Sequence, residues 1–303
     1  MNNVGLYIVT VLIWGSTWLG IEFQLGVVSP EVSVFYRYLL ACVLLFGWSA
    51  VKGLNLRFDL AAHGRFALLG LLLFGLNYVF AYHAQRYIDS ALMAITFSTL
   101  LWMNIINARV FFGERIQANV VGGSVLGIAG VVMLFAPSIA NFSLADATVF
   151  GALLSLISAY IASLGNMASQ AAQRKGLPIV QSNAWGMFYG SVLTAVFALV
   201  QGKAFVFDFS APYVLSLLYL VVFGSILAFG AYLTLLGRIG AGKAGYAMVL
   251  FPVVALILSV FFEDFTITPQ VIFGVCLVLL GNVFVMRPVR PKPELAKEPS
   301  SAT

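Results

Sequence analysis

The chain has 303 residues, of which 61% are apolar and 9% are charged, against ~45–50% and ~25% in an ordinary soluble domain. With 26 Phe, 12 Tyr and 5 Trp and a mean hydropathy of +1.00, it cannot be a secreted globule, a nucleic-acid binder or a disordered chain. Its formal charge of +5 carries information only through its distribution between loops. Cys42 and Cys276 lie in apolar runs far apart and read as packing residues, so no disulfide framework, metal site or cofactor is expected.

A membrane-crossing helix needs ~20 mostly apolar residues. Breaks at Pro, Gly and charge clusters predict ten such helices, at about 4–24, 30–51, 66–85, 90–112, 117–136, 148–172, 178–201, 212–236, 241–262 and 269–286. The expected fold is therefore an all-α integral membrane protein. The first run lacks a basic n-region and an A-x-A site, so it reads as a span and not a signal peptide. Ser29-Pro30 and Leu177-Pro178 mark helix starts, because proline loses nothing in the first turn. Residues 287–303, rich in Pro, Lys, Glu and Ser, read as a disordered tail. Loops this short leave function to the space between the helices.

Alternate connections and the tail hold Lys52, Arg57, Arg65, Arg109, Arg115, Arg174, Lys175, Arg238, Lys243, Arg287, Arg290, Lys292 and Lys297, against Arg86 and Lys203 on the opposite side. The positive-inside rule then places both termini in the cytoplasm.

With that orientation, each span has a legible face at 100° per residue. The first aligns Thr10, Trp14, Thr17 and Trp18, with Glu22 at its outer end. The second contains Arg37, the one charge inside a span. Arg37 could hold a substrate carboxylate, pair across a gate with Glu22 or Glu31, or snorkel outward. The third aligns Phe74, Tyr78, Tyr82 and Gln85; its His83 could shuttle protons or make a structural hydrogen bond. The fourth aligns Thr96, Thr99, Met103 and Asn107. The sixth aligns Tyr160, Ser163 and Met167, with Asn166 and Gln170 adjacent, and the ninth offers Tyr246 and the helix-bending Pro252. Polar stripes in hydrocarbon must face protein or a wet cavity, so each residue either lines a cavity or bonds a neighbouring helix. The expected lining is Trp14, Thr17, Trp18, Tyr78, Tyr82, His83, Thr99, Met103, Tyr160, Ser163 and Tyr246, with Glu22, Arg37 and Pro252 at a gate. Gly123-x3-Gly127 and Gly186-x3-Gly190 read as close packing inside one bundle, and a monomer is expected.

The halves resemble one another at an offset near 150 residues. Val110-Phe111-Phe112-Gly113-Glu114 aligns with Val260-Phe261-Phe262-Glu263-Asp264, Gly123 and Gly130 with Gly274 and Gly281, and Tyr82 with Tyr232. Five spans per half, an odd number, would set the halves, 1–140 and 141–286, upside down to one another, a transporter architecture with its site near the midplane. Trp14-Gly15-Ser16-Thr17, Arg37, Phe111-Phe112-Gly113-Glu114, Pro252 with Phe261-Phe262-Glu263-Asp264, and the glycines of the fifth and tenth spans resemble EamA-type members of the drug/metabolite transporter superfamily, over about 4–286. Within it the chain is most similar to bacterial inner-membrane exporters of aromatic amino acids. The resemblance implies a basket of helices 1, 3, 4, 6, 8 and 9 around a central cavity.

Indole, phenol and amide groups on an apolar surface suit a flat or aliphatic side chain with a small polar head. Amino acids fit, and a quaternary cation held by aromatic rings is the alternative cargo. Partners are then a small-molecule substrate and membrane lipid, and no nucleic acid. A membrane enzyme lacks visible machinery, without H-E-x-x-H, G-x-S-x-G or an intramembrane carboxylate pair. A channel lacks charge rings or a carbonyl filter. Every Asp and Glu falls at a span end, in a loop or in the tail, so the expected mode is facilitated export and not proton exchange. A green fluorescent protein fused after Thr303 is predicted to fluoresce and alkaline phosphatase fused there to be inactive; the reverse pattern would overturn the orientation.

Overall fold

The computed structural model describes residues 1–116, 118–134, 147–240, 244 and 247–286. Among them the secondary structure is helical, and seven helices are long and apolar enough to cross a membrane. They are α1 (Asn3–Glu22), α2 (Pro30–Val51), α3 (Leu60–Ala84), α4 (Ser90–Phe112), α6 (Ala147–Arg174), α7 (Ile179–Val200) and α8 (Ala211–Ile239). Three further helices, α5 (Ala118–Leu134), α9 (Ala247–Phe262) and α10 (Pro269–Met286), contain shorter apolar stretches. The tail 287–303 lies outside the described residues.

Local chemistry sets the ends. Pro30 opens α2 and Pro178 caps α7, while Gly113, at φ 70°, closes α4 in a left-handed turn that a side chain would strain. The Asp59 carboxylate accepts the Ala62 N–H at 2.8 Å and caps α3, which therefore starts at Leu60, upstream of the expected 66. Two helices contain π-helical turns, Gly70–Leu76 in α3 and Leu220–Leu227 in α8. Nothing in the apolar pattern announces these turns, because adding a residue to a turn leaves an all-apolar run all-apolar. α4 is interrupted between Phe97 and Leu100. There the Ser98 hydroxyl donates to the Ile95 carbonyl at 2.6 Å and competes with the helical ladder.

The most extensive helix contact joins α5 to α10, and α2 packs on α7. α1 packs on α8 and α9, and α6 packs on α3 and α4. Shifting every helix number by five turns this set of contacts into itself.

Between apolar helices in lipid, close approach of small residues supplies the packing energy. A Cβ on Gly281 would lie 2.5 Å from the Gly123 carbonyl oxygen and 2.8 Å from the Gly127 nitrogen, so α10 sits backbone to backbone on α5. One on Gly70 would lie 2.5 Å from the Gly186 oxygen and 2.8 Å from the Gly190 nitrogen, which seats α3 on α7. Both glycine motifs thus pack within the chain. Gly47 in α2, by contrast, faces open space. Gly281→Leu is predicted to lower stability by about 1–3 kcal/mol through overpacking, read as a lower thermal unfolding midpoint in detergent, and Gly47→Leu to leave it unchanged; equal midpoints would refute the seam.

Candidate substrate cavity

α1, α3, α4, α6, α8 and α9 surround a narrow cavity of about 30 Å³. In this conformation the walls stand too close for a ligand of amino-acid size. Trp14, Thr17, Trp18 and Ile21 come from α1; Leu73, Asn77 and Tyr78 from α3; Phe97 and Leu100 from α4. Ala162 and Asn166 from α6, Phe229 and Tyr232 from α8, and Phe251 from α9 complete the wall.

The rings form two groups. The Trp14 ring centre lies 5.1 Å from Phe229 and 4.8 Å from Tyr232, with Tyr78 6.1 Å from Phe229. Trp18 lies 5.0 Å from Phe97 and 6.3 Å from Phe251. Edge-on and tilted pairs of this kind contribute ~0.5–1.5 kcal/mol each beyond their buried area. The Trp14 indole also donates to the Gly224 carbonyl at 3.4 Å, inside the π-helical turn of α8.

A polar cluster reaches the wall at Asn166 and Tyr232. The Asn166 amide donates to Asn104 Oδ1 at 3.2 Å and to the Tyr232 hydroxyl oxygen at 3.3 Å, and the Asn104 amide donates to that same oxygen at 3.4 Å. Two polar atoms of the lining residues stay buried without a hydrogen bond, the donor Trp18 Nε1 and the acceptor Asn166 Oδ1. Among the described residues no Asp or Glu lines the cavity.

The structure brings Trp14, Thr17, Trp18 and Tyr78 together at the cavity. Thr99 is buried and Met103 packs against the core, both outside the lining. Ser163 accepts a hydrogen bond from the Asn107 amide at 2.8 Å and so joins α6 to α4. Tyr82 is fully buried beside Arg37, one layer behind the wall. Tyr160 corrects the reading of α6: it is 49% exposed, on an outward stripe with Leu153 and Ile157. At 100° per residue it lies roughly 160° from the lining residue Ala162. Tyr246 lies outside the described residues. Pro252 is buried inside α9 next to Phe251. Asn104, Phe97, Phe229 and Phe251 are functional candidates that the sequence reading missed. Tyr232 is the sequence counterpart of Tyr82, and Phe229 lies one turn before it.

The gate residues do not pair as foreseen. Glu31 meets His83 Nε2 at 2.7 Å, at the end of the bundle expected to face outward, which places His83 away from the cavity. Among the described residues, the charged groups acting on Glu22 are the acids Glu263 and Asp89. Burial and the Glu263 charge push the Asp89 carboxyl above its usual range. Glu263 accepts from the Ser90 N–H at 3.3 Å and hydroxyl at 2.7 Å, which ties α9 to the start of α4. Arg37 does not snorkel. It is 0% exposed, donates from Nε to the Ser225 hydroxyl at 2.9 Å, and covers the rings of Tyr78 at 4.4 Å and Tyr38 at 5.3 Å. A buried arginine in a helix centre costs ~2.5–3.5 kcal/mol on an insertion scale, and each cation–π contact returns ~0.5–2 kcal/mol.

A family model described as the EamA-like transporter family matches residues 3–136 and 149–287. The chain belongs to the EamA-like transporter family. Among EamA-type relatives it is 25% identical over 283 residues to the uncharacterized transporter YoaV of Bacillus subtilis, covering 93% of this chain and 96% of that protein. It is 27% identical to the uncharacterized inner membrane transporter YedA of Escherichia coli K12, covering 92% and 91%. A probable amino-acid metabolite efflux pump of the same organism is 24% identical, covering 93% and 95%. A solved structure entitled only as a crystal structure of a protein shares the fold, with a TM-score of 0.69 at 18% identity over 94% of this chain and 96% of that one.

Tyr232→Phe removes the acceptor of two buried amides in this transporter. It is predicted to cost about 1–3 kcal/mol of stability, whereas Tyr160→Phe, on the outward stripe, changes it by less than about 0.5 kcal/mol. Thermal unfolding of both variants in one detergent checks this, and an unshifted midpoint for Tyr232→Phe would remove the cluster from the account.

Proposed function

We propose that this transporter exports neutral and aromatic amino acids across the inner membrane by alternating access between two inverted five-helix halves, residues 1–140 and 141–286, with both termini cytoplasmic. The observation that carries the reading is an uncharged, aromatic-walled cavity with one free donor, Trp18 Nε1, and one free acceptor, Asn166 Oδ1. Such a wall takes a flat apolar side chain, and the free polar atoms suit a small polar head. The name of the efflux-pump relative points the same way. Helix contacts that recur on a shift of five, and π-helical turns near 70 and 220 in the two halves, support the duplicated architecture.

Trp14, Thr17, Trp18 and Tyr78 are the proposed substrate contacts. Because the described residues of the wall include no carboxylate, substrate moves down its own gradient with no proton exchanged. The rival cargo is a quaternary cation, which the rings would also attract.

Liposomes containing the purified protein are predicted to take up labelled phenylalanine saturably, at the same rate with and without an imposed pH gradient. Trp18→Ala raises the KM about tenfold or more if the indole holds substrate. Uptake blocked by tetraphenylphosphonium but not by leucine or tryptophan would establish the cation reading instead, and flux that never saturates would make the protein a channel.

A further inference from the structure

Behind Tyr78 the bundle buries a guanidinium among tyrosines, with no carboxylate acting on it. Arg37 Nη1 and Nη2 and the hydroxyls of Tyr38 and Tyr82 make no well-formed hydrogen bond, and the Tyr82 hydroxyl is the polar acceptor that interacts with the guanidinium. The Tyr82 hydroxyl comes close enough to interact electrostatically with the guanidinium, and Tyr38 and Tyr78 cover it with their rings. Glu31 pairs with His83, and the groups acting on Arg37 are tyrosines. A guanidinium with two free Nη atoms is a fork shaped for a carboxylate, and a buried charge demands such a partner.

This group sits directly against the cavity wall. A Cβ on Gly224 would lie 2.8 Å from Thr17 Cγ2 and 3.2 Å from Arg37 Nη2, so the gap between a lining residue and the guanidinium is the width of one absent side chain. Tyr78 lines the cavity with one face and carries Arg37 on its ring. Gly224 and Ser225, which holds Arg37 Nε, both belong to the π-helical turn of α8, a feature concentrated at functional sites.

We propose that Arg37 is the carboxylate-recognition residue of the cavity: when the Tyr78 ring swings off it, Arg37 and the Tyr82 hydroxyl take the carboxylate of an aromatic substrate whose side chain lies among Trp14, Trp18 and Phe229. The proposal rests on the cavity being the substrate site, as argued above, and adds a specificity to it. Amino acids and other aromatic carboxylates are bound, and aromatic amines without a carboxylate are refused. The closed cavity is then the unliganded arrangement, in which the tyrosine rings stand in for the missing anion.

The test is equilibrium binding to the full chain in detergent with three labelled probes, phenylalanine, 3-phenylpropionate and 2-phenylethylamine. Wild-type protein binds the two carboxylates about tenfold or more tightly than the amine. Arg37→Gln loses that preference, with the carboxylates weakened about tenfold or more and the amine unchanged, and Arg37→Lys, which keeps the charge but not the fork, restores part of it. Ser225→Ala keeps the guanidinium and releases its Nε. It weakens both carboxylates without touching the amine, and it decides the matter if the Arg37 variants do not elute as folded protein. Wild-type affinity for the carboxylates in Arg37→Gln, or in Ser225→Ala when that is the only folded variant, overturns the role of Arg37 and leaves the amino-acid reading standing. A wild-type protein that binds the amine as tightly as phenylalanine overturns it as well. Binding of none of the three overturns the cavity as an aromatic amino-acid site and the proposal with it.

Discussion

Helices surrounded by hydrocarbon gain little from hiding apolar surface, since lipid tails are as apolar as leucine, so this fold depends on how closely its backbones can approach. The glycine seams provide that approach: Gly70 against Gly186 and Gly190, and Gly281 against Gly123 and Gly127. The first fixes α3 on α7 at the start of the α3 π-helical turn, a few residues from the lining side chains Leu73, Asn77 and Tyr78. The second holds α5 and α10 together away from the lining, which comes from α1, α3, α4, α6, α8 and α9.

Polar side chains inside such a bundle have no water to fall back on, and most of them bond across helices. Asn107 meets Ser163, Ser158 meets Asn77, and Gln24 reaches the Tyr213 carbonyl and the Ser216 hydroxyl. Trp102 donates to Asn282 at 2.8 Å and so links α4 to α10. Against that background one group of unsatisfied atoms gathers in a single place. Trp18 Nε1, Asn166 Oδ1, the Arg37 Nη pair and the Tyr38 and Tyr82 hydroxyls all belong to the cavity wall or to the layer behind it. Other buried polar atoms without a partner, such as Ser49 Oγ and Ser182 Oγ, lie outside that group.

The irregular backbone gathers at the same place. The π-helical turn of α3 contributes Leu73 to the wall, and that of α8 contributes the Gly224 carbonyl to Trp14 and Ser225 to Arg37. The Ser98 break in α4 lies between the lining residues Phe97 and Leu100. Non-helical backbone at membrane depth is tolerated where protein or a cavity satisfies it, and all three interruptions meet that condition around one space.

Composition and hydropathy by themselves determined that the chain is a helical membrane protein, because 61% apolar residues in runs of span length leave no soluble alternative. The 100° periodicity determined the faces of α1 and α3, where Trp14, Thr17, Trp18 and Tyr78 coincide with a polar stripe that has to point inward. It failed on α6. There polar and aromatic residues lie on both sides of the helix, and only the contacts with α3 and α4 turn Asn166 inward and Tyr160 outward. It was silent on α8 and α9, whose runs are apolar all round, so that Phe229 and Phe251 became lining residues through the crossing of α1 against both helices. The sequence marked Arg37 as the single charge inside a span. That Arg37 lies buried among tyrosines with no carboxylate, while Glu31 pairs with His83, was decided by tertiary structure alone. The partner of a charge depends on which helix faces it, and a linear pattern does not record which helix that is.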